Sequence, residues 1–296
     1  MKPSFPIYVI SKGRHDHCLT ANFLARDGVD FRIVVEPQER DAYANKYGSD
    51  RILVLPFSNL GLGSIPARNW VWEHSKIGGH ERHWILDDNM RDVYRRHHGK
   101  RVYCHSGYAF KVLEEFVSRY ENVAIAGFNY HMFVPDHRKK APFVLNVYVY
   151  SNFLIMNSIP QRWRGRYNED TDLCLQVLSA GLCTVQFNAF CVAKMQTMKM
   201  KGGNTDLLYA GDGRLTMSRS LERMWPGIVS TTRKFRRPQH AVAYNWGRFD
   251  NKLIRKPGFD SIPNEANEFG MEFKRVGGRA KNPKTYSMLS GKSASK

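Results

Sequence analysis

Short apolar runs alternate with longer stretches of helical spacing over the first hundred residues. Ile7 to Ile10 reads as a strand, and the segment through Leu19, Phe23 and Leu24 as a helix that stops at Gly28. Phe31 to Val35 is a second strand, followed by "QERDAYANKYG", whose helix ends at Gly48. Ile52 to Leu55 is a third strand. After the loop "PFSNLGLGSIP", the segment "ARNWVWEHSK" reads as a helix with Pro66 near its first turn, and Trp84 to Leu86 forms a fourth strand. Strands alternating with helices predict βαβ units and an α/β fold with a mainly parallel sheet, which binds ligands beyond the carboxyl ends of its strands.

The middle of the chain is less regular. Val112 to Tyr120 reads as a helix, Val123 to Phe128 as a strand, and "APFVLNVYVYSNFLIMN" as a pair of antiparallel strands. Asn168 is placed to cap a helix whose apolar positions Leu173, Val177 and Leu178 share a face, with Gly181 as its stop. Val185 to Phe187 is the expected last strand of the core. There is no internal repeat.

Charge changes this picture in one respect. Lys and Arg number 45 against 27 Asp and Glu, a formal +18, and about +10 of that excess falls from Ser230 onward, densest in "TTRKFRRPQH". Such an excess calls for an anionic partner, with nucleic acid ahead of a membrane surface. The five cysteines form no CxxC pair, which predicts reduced thiols and neither a disulfide framework nor a structural zinc. "MKPSFPIYVISKGR" reads as a first strand and not as a signal peptide, and no run approaches the length of a membrane span, so the expectation is a soluble, cytoplasmic protein.

The candidate chemistry lies at the strand ends. Strand one runs into Ser11, Lys12 and Arg14, strand two into Glu36, strand three into the glycine-containing loop, and strand four into Asp87, Asp88 and Asn89. Mg²⁺ and Mn²⁺ bind through one or two carboxylates together with substrate phosphates, so this acidic end suits a metal-diphosphate site. An Asp-Asn turn that caps the next element accounts for the same residues. Glu169 and Asp170 in "NEDTD" offer a general base, Asp170 first, although acidic residues also belong in a first helical turn for structural reasons. Arg14, Arg68 and "KMKGGN" can contact phosphates, or simply carry solvated charge. Phe235, Tyr244 and Trp246 lie among basic residues and either stack on bases or fill the core of a small lobe.

Taken in order, "ISKGR", "VVEP", "LPFSNLGLGSIPARN", "HWILDDN", "NEDTD" and "KGGN" resemble the TET-associated glycosyltransferases, a family found largely in bacteriophages, over roughly the first 210 residues. The resemblance implies a GT-A-like, Rossmann-type mixed sheet flanked by helices. It places a nucleotide-sugar-binding and catalytic domain over 1–210, and charge and composition make 211–296 a basic C-terminal lobe and mobile tail. It implies transfer of a sugar from a UDP-sugar to 5-hydroxymethylcytosine in DNA, with Mn²⁺ or Mg²⁺ at Asp87, Asp88 and Asn89 and the base at Asp170 or Glu169. Ser11, Lys12, Arg14, Glu36, Arg68 and Asn69 then serve the donor with Asp87 and Asp88. Lys201, Gly202 and Gly203 close over the diphosphate, and Arg233, Lys234, Arg236 and Arg237 meet DNA. An asparagine in the third position of the acidic motif departs from the fully acidic form and weakens the case for metal dependence. Three rivals share these features: a transferase with a protein or polysaccharide acceptor, a metal-dependent phosphoryl-transfer enzyme on nucleic acid, and a non-catalytic DNA-binding protein.

Overall fold

The structure, a computed structural model, describes residues 2–136, 140–195, 213–234, 237–244 and 248–259. The first half builds β1 (Ile7–Ile10), α1 (Leu19–Arg26), β2 (Arg32–Val35), α2 (Arg40–Tyr47), β3 (Ile52–Val54), α3 (Ile65–Ile77) and β4 (Arg82–Asp87). A hairpin of β5 (Met90–His97) and β6 (Lys100–Tyr103) follows, then α4 (Ser106–Ser118), β7 (Val123–Tyr130), β8 (Phe143–Leu145), β9 (Asn152–Met156), α5 (Glu169–Ser179) and β10 (Cys183–Lys194). Beyond these lie α6 (Gly213–Met224), β11 (Val229–Lys234) and β12 (Arg237–Val242).

Ten strands form one mixed sheet in the order β3-β2-β1-β4-β9-β7-β10-β5-β6, with β8 paired to β10. Pairing is parallel along β3-β2-β1-β4 and between β7 and β10, and antiparallel elsewhere. With helices on both faces this is the Rossmann-like GT-A arrangement. Successive strand side chains point to opposite faces, and here both faces are apolar, as expected for a sheet covered on both sides. Trp84 and Leu86 of β4 pack with Phe23, Leu24, Phe110 and Leu113 of α1 and α4, whereas Ile85 packs with Val71, Trp72, Leu173 and Val177 of α3 and α5.

Several sequence expectations are corrected here. The segment 141–157 yields two strands, but they do not pair with one another: β8 joins β10, and β9 inserts between β4 and β7. Helix α4 begins at Ser106, six residues before the predicted start. The β5–β6 hairpin was not predicted, because the basic run "RRHHGKR" hides its alternation; its turn is His98-Gly99, with φ of 45° and 77°. Strand β10 is twelve residues long and continues well past Phe187. Asn168 does not cap α5. Its backbone is left-handed, at φ 54°, and its side-chain amide instead donates to the Met217 carbonyl at 2.9 Å.

The C-terminal elements are anchored to α5. Leu175 and Leu178 on the outer side of α5 form a third apolar cluster with Leu221, Val229 and Phe249, and Trp225, Val242 and Tyr244 pack around it. Tyr244 is thus part of a core, while Phe235 and Trp246 lie outside the described residues. The segment 248–259 runs back over the sheet: Asn146 donates to the Phe249 and Asn251 carbonyls at 2.8 Å each, and Asn122 donates to the Lys252 carbonyl at 2.7 Å. All five cysteines are free thiols. Among the described residues no helix is long and apolar enough to cross a membrane.

Candidate active site

Because β9 is antiparallel to both β4 and β7, the strands β1, β2, β3, β4, β7 and β10 all end at one rim of the sheet. That rim gathers Ser11 and Arg14 after β1, Glu36 after β2, Asp87 to Asn89 at β4, Tyr130 at β7, Lys194 at β10, and Ser151 just before β9. Thr20, in the first turn of α1, pins the β4–β5 turn: its backbone N–H donates to the Asp88 carbonyl at 3.2 Å, and its hydroxyl donates to the Asp87 carbonyl at 2.5 Å.

The alternation of a strand sends the two aspartates apart. Asp87 accepts from Arg68 Nη2 through Oδ1 at 2.8 Å and from Lys194 Nζ through Oδ2 at 2.9 Å. Asp88 accepts from Arg14 Nη1 at 2.6 Å and from the Ser11 hydroxyl at 2.7 Å, and is 4% exposed. Burial works against the Asp87 anion, but Lys194 and Arg68 outweigh it and hold this carboxyl well below its ordinary range. Burial wins at Asp88, whose pKa is raised despite Arg14 and Ser11.

Lys194 was not among the residues singled out from the sequence. A register shift between Ala193 and Lys194 in the pairing of β10 with β5 marks a bulge, a feature that re-aims side chains beside active sites. Its ammonium reaches Asp87, the Ser151 hydroxyl and, at 3.4 Å, the Tyr130 hydroxyl, and lies 5.5 Å from the centre of the Tyr130 ring. The only signal in the sequence was the apolar run "AFCVAK", which prolongs β10 to the rim.

Arg68 is the hub between the two acidic clusters. Buried to 4% exposure, it stacks its guanidinium over Trp163 at 4.6 Å and donates through Nε to the Ser64 hydroxyl at 3.1 Å. Burial opposes its charge, while Asp87, Asp170 and Glu169 raise its pKa. Glu169 is engaged by the Ser64 hydroxyl at 2.9 Å. Asp170 is not: its Oδ1 is buried with no hydrogen-bond partner among the described residues, 3.9 Å from Arg68 Nη2, and Arg68 Nη1 is buried and unpartnered in the same way. Burial, reinforced by the neighbouring Glu169 and only partly offset by Arg68 and Lys194, pushes the Asp170 carboxyl up to about 7. Asp172, on the far side of the same helix turn, is fully buried and structural: it pairs with Arg164 at 3.0 Å and accepts from Trp225 Nε1 at 2.8 Å.

The remaining predicted residues sit further out. Lys12 pairs with Glu36 at 2.8 Å and donates to Asn59 at 3.0 Å, forming a rim contact beside the loop before α3. Asn69 exchanges two hydrogen bonds with the Trp163 backbone, at 2.9 and 3.1 Å, and so tethers the loop that holds Trp163. Arg233, Lys234 and Arg237 are exposed at the tip of the β11–β12 hairpin. Arg236, Lys201, Gly202 and Gly203 lie outside the described residues.

An orphaned buried guanidinium nitrogen and an orphaned buried carboxylate oxygen lie at the common end of six strands, an arrangement chemically able to receive an anionic ligand and to take a proton. The family model described as TET-Associated Glycosyltransferase matches residues 5–203, which includes every rim strand and the whole of this site. The chain belongs to the TET-associated glycosyltransferase family. Comparison with curated proteins gives no match. As a glycosyltransferase it moves a sugar from a donor to an acceptor.

A GT-A fold with an acidic strand end implies a divalent ion, and the side chains here do not fit one. Both oxygens of Asp87 and both of Asp88 already meet donors and the two carboxylates face different partners, which leaves Asn89 Oδ1, buried and without a hydrogen-bond partner among the described residues, as the single oxygen of this turn open to a ligand. Among the described residues no group of three His, Cys, Asp or Glu is arranged to hold a metal.

Proposed function

We propose that this transferase moves a sugar from a UDP-sugar to the hydroxymethyl oxygen of 5-hydroxymethylcytosine in DNA. The observation that carries the reading is that Arg68 Nη1 and Asp170 Oδ1 are both buried and both without a hydrogen-bond partner among the described residues, although the two side chains approach to 3.9 Å. A protein leaves such groups unsatisfied at a cost of about 1–3 kcal/mol each, and a site that closes on a ligand recovers it.

The donor diphosphate fits beside Arg14 and Arg68, whose fork of N–H groups matches phosphate oxygens. The acceptor hydroxyl donates its proton to Asp170 as its oxygen attacks the anomeric carbon. The bond from that carbon to the phosphate oxygen breaks, its electron pair leaves with UDP, and the proton stays on the carboxylate. A single displacement of this kind inverts the anomeric configuration. A carboxyl whose pKa stands at about 7 is matched to this task near neutral pH. Asp87 holds Arg68 and Lys194 in place from below.

Two features support DNA as the acceptor beyond family membership. The chain carries +18, with Arg233, Lys234 and Arg237 exposed on a hairpin whose His240 lies 3.4 Å from Thr171, the neighbour of the proposed base. Tyr130 and Tyr150, whose ring centres are 6.3 Å apart, stand near enough to Asp170 to interact with its charge, and belong to an aromatic cluster in which Tyr150 stacks on Tyr148 at 4.5 Å and Tyr130 on Phe133 at 5.9 Å. An aromatic cluster of this kind suits a flat base, and a base that reaches buried Asp170 is turned out of the helix.

The test is incubation with 5-hydroxymethylcytosine DNA and a panel of UDP-sugars, followed by nucleoside mass spectrometry. A hexose-sized gain on one nucleoside, lost in Asp170→Ala, is the expected result. Donor hydrolysis without any gain on DNA moves the acceptor elsewhere, and strand cleavage without sugar transfer overturns the reaction class.

A further inference from the structure

We propose that Lys194 stands in place of a divalent cation: the chain meets the charge of the departing diphosphate with Arg14, Arg68 and Lys194, and donor binding proceeds without a metal ion. This rests on the donor being a nucleoside diphosphate sugar, as argued above, and adds that the charge-neutralising element belongs to the protein itself.

The surroundings of Lys194 Nζ are those of a hard cation. Three oxygens converge on it: a carboxylate from Asp87 at 2.9 Å, the hydroxyl of Ser151, and the phenol of Tyr130 at 3.4 Å. The Ser151 and Tyr130 hydroxyls are themselves hydrogen-bonded at 2.6 Å, which fixes the cage before any ligand arrives. Lysine is seldom buried unless paired, and this side chain is only 14% exposed. The bulge that ends β10 delivers it to the rim, next to the carbonyl of Asn89, which accepts from the Met195 N–H at 3.0 Å.

A divalent ion at the same place meets two obstacles. Mg²⁺ requires oxygens at about 2.0–2.1 Å in an octahedral shell, so Lys194 or Arg68 would first have to leave Asp87. The alternative, Asp88 with Asn89, offers a carboxylate held on both oxygens by Arg14 and Ser11, so the one unpartnered oxygen there is the neutral amide Oδ1 of Asn89, too few protein ligands for a divalent ion. Keeping all three cations and adding a divalent one would crowd like charges into a buried site, where Coulomb repulsion is strong. During transfer the bond between the anomeric carbon and the phosphate oxygen breaks, and the released charge appears on the diphosphate. Lys194 and Arg68, bridged by Asp87, are already beside it.

A purely structural ion pair between Lys194 and Asp87 would look similar at rest, so the test must read the charge role. UDP binding to the full chain is measured by calorimetry in EDTA and in Mn²⁺, with Mn²⁺ binding followed separately by electron paramagnetic resonance. Wild-type protein is expected to bind UDP within about twofold under the two conditions and to show no Mn²⁺ site. Lys194→Ala is expected to weaken UDP binding in EDTA by about tenfold or more, and to regain most of it in Mn²⁺ because Asp87 is then open to the ion. Lys194→Arg should retain binding in EDTA. Wild-type UDP binding that weakens tenfold or more in EDTA overturns the proposal and leaves the functional reading intact. Unchanged UDP binding by Lys194→Ala in EDTA overturns it as well. Binding of no nucleoside diphosphate under either condition overturns both. Should Lys194→Ala fail to fold, the wild-type comparison with and without metal decides alone.

Discussion

Asp170 shows how a single residue exchanges stability for chemistry. Its carboxyl is pushed up to about 7 by burial and by Glu169, so the folded protein binds a proton there that the unfolded chain releases near pH 4. The unfolded state therefore binds fewer protons between those values, and stability falls as pH rises from about 4 to about 7, remaining low above. Asp170→Asn should accordingly raise stability at pH 8 by about 1–3 kcal/mol and give no gain at pH 4, measured by urea melts at the two pH values. Activity runs the other way. In the proposed reaction Asp170 acts as an ionised base, so kcat/KM should rise about tenfold per pH unit up to about 7 and level off above, and Asp170→Ala should lose roughly 10²–10⁴-fold at the plateau. Glu169, occupied by Ser64 at 2.9 Å, acts through its charge on Asp170, and Glu169→Gln should shift the acid limb to lower pH.

At the scale of elements, the site is held by packing between strands and by the buried side of α5. Gly127 in β7 lies where a methyl group would run into the Asn152 carbonyl oxygen and the Val149 side chain, and backbone cannot yield there as a flexible side chain can. Gly127→Ala should cost roughly 2–4 kcal/mol and weaken UDP binding through the displaced Ser151, read from chemical denaturation and calorimetry. Asp172 joins Arg164, Gln176 and Trp225, and so clamps α5 to α6. Removing the carboxylate in Asp172→Ala leaves the Trp225 indole N–H and the Gln176 amide facing a gap while half-exposed Arg164 turns to water, a change expected to destabilise by about 1–3 kcal/mol. The effect should appear as a lower melting temperature with the Asp170 pH profile unchanged.

At the scale of the whole molecule, charge and topology act together. Sequence-independent affinity for DNA comes from phosphates neutralised and counterions released, so it falls linearly with the logarithm of salt concentration. Replacing exposed Arg233, Lys234 and Arg237 by alanine should reduce the slope of log K against log salt by about 2–3, while UDP affinity stays the same. Fluorescence anisotropy over a salt series measures the first and calorimetry the second. An unchanged slope would place the DNA contact on another basic surface.

The first four strands, their helices and the acidic end of β4 were legible because apolar periodicity is a local property, and a helix or strand declares its buried face within a few residues. Asp87, Asp88, Arg68 and Asp170 could be named as candidates because ligands bind beyond the carboxyl ends of parallel strands, although capping turns and first helical turns use the same acidic residues. The rest depended on contacts between residues far apart in the chain. That β9 sits between β4 and β7, and so brings Ser151 to the rim, follows from sheet pairing over some seventy residues. That Asn168 points at Met217 and Asn69 at Trp163 follows from the same long-range packing. Lys194 is the clearest case. In the sequence it is one of 45 basic residues, and only the bulge at the end of β10 places it against Asp87. The sequence by itself determined the elements and the chemical types available at their ends. Tertiary structure decided which of those charges meet, because pairing depends on distances of a few ångströms that local pattern does not encode.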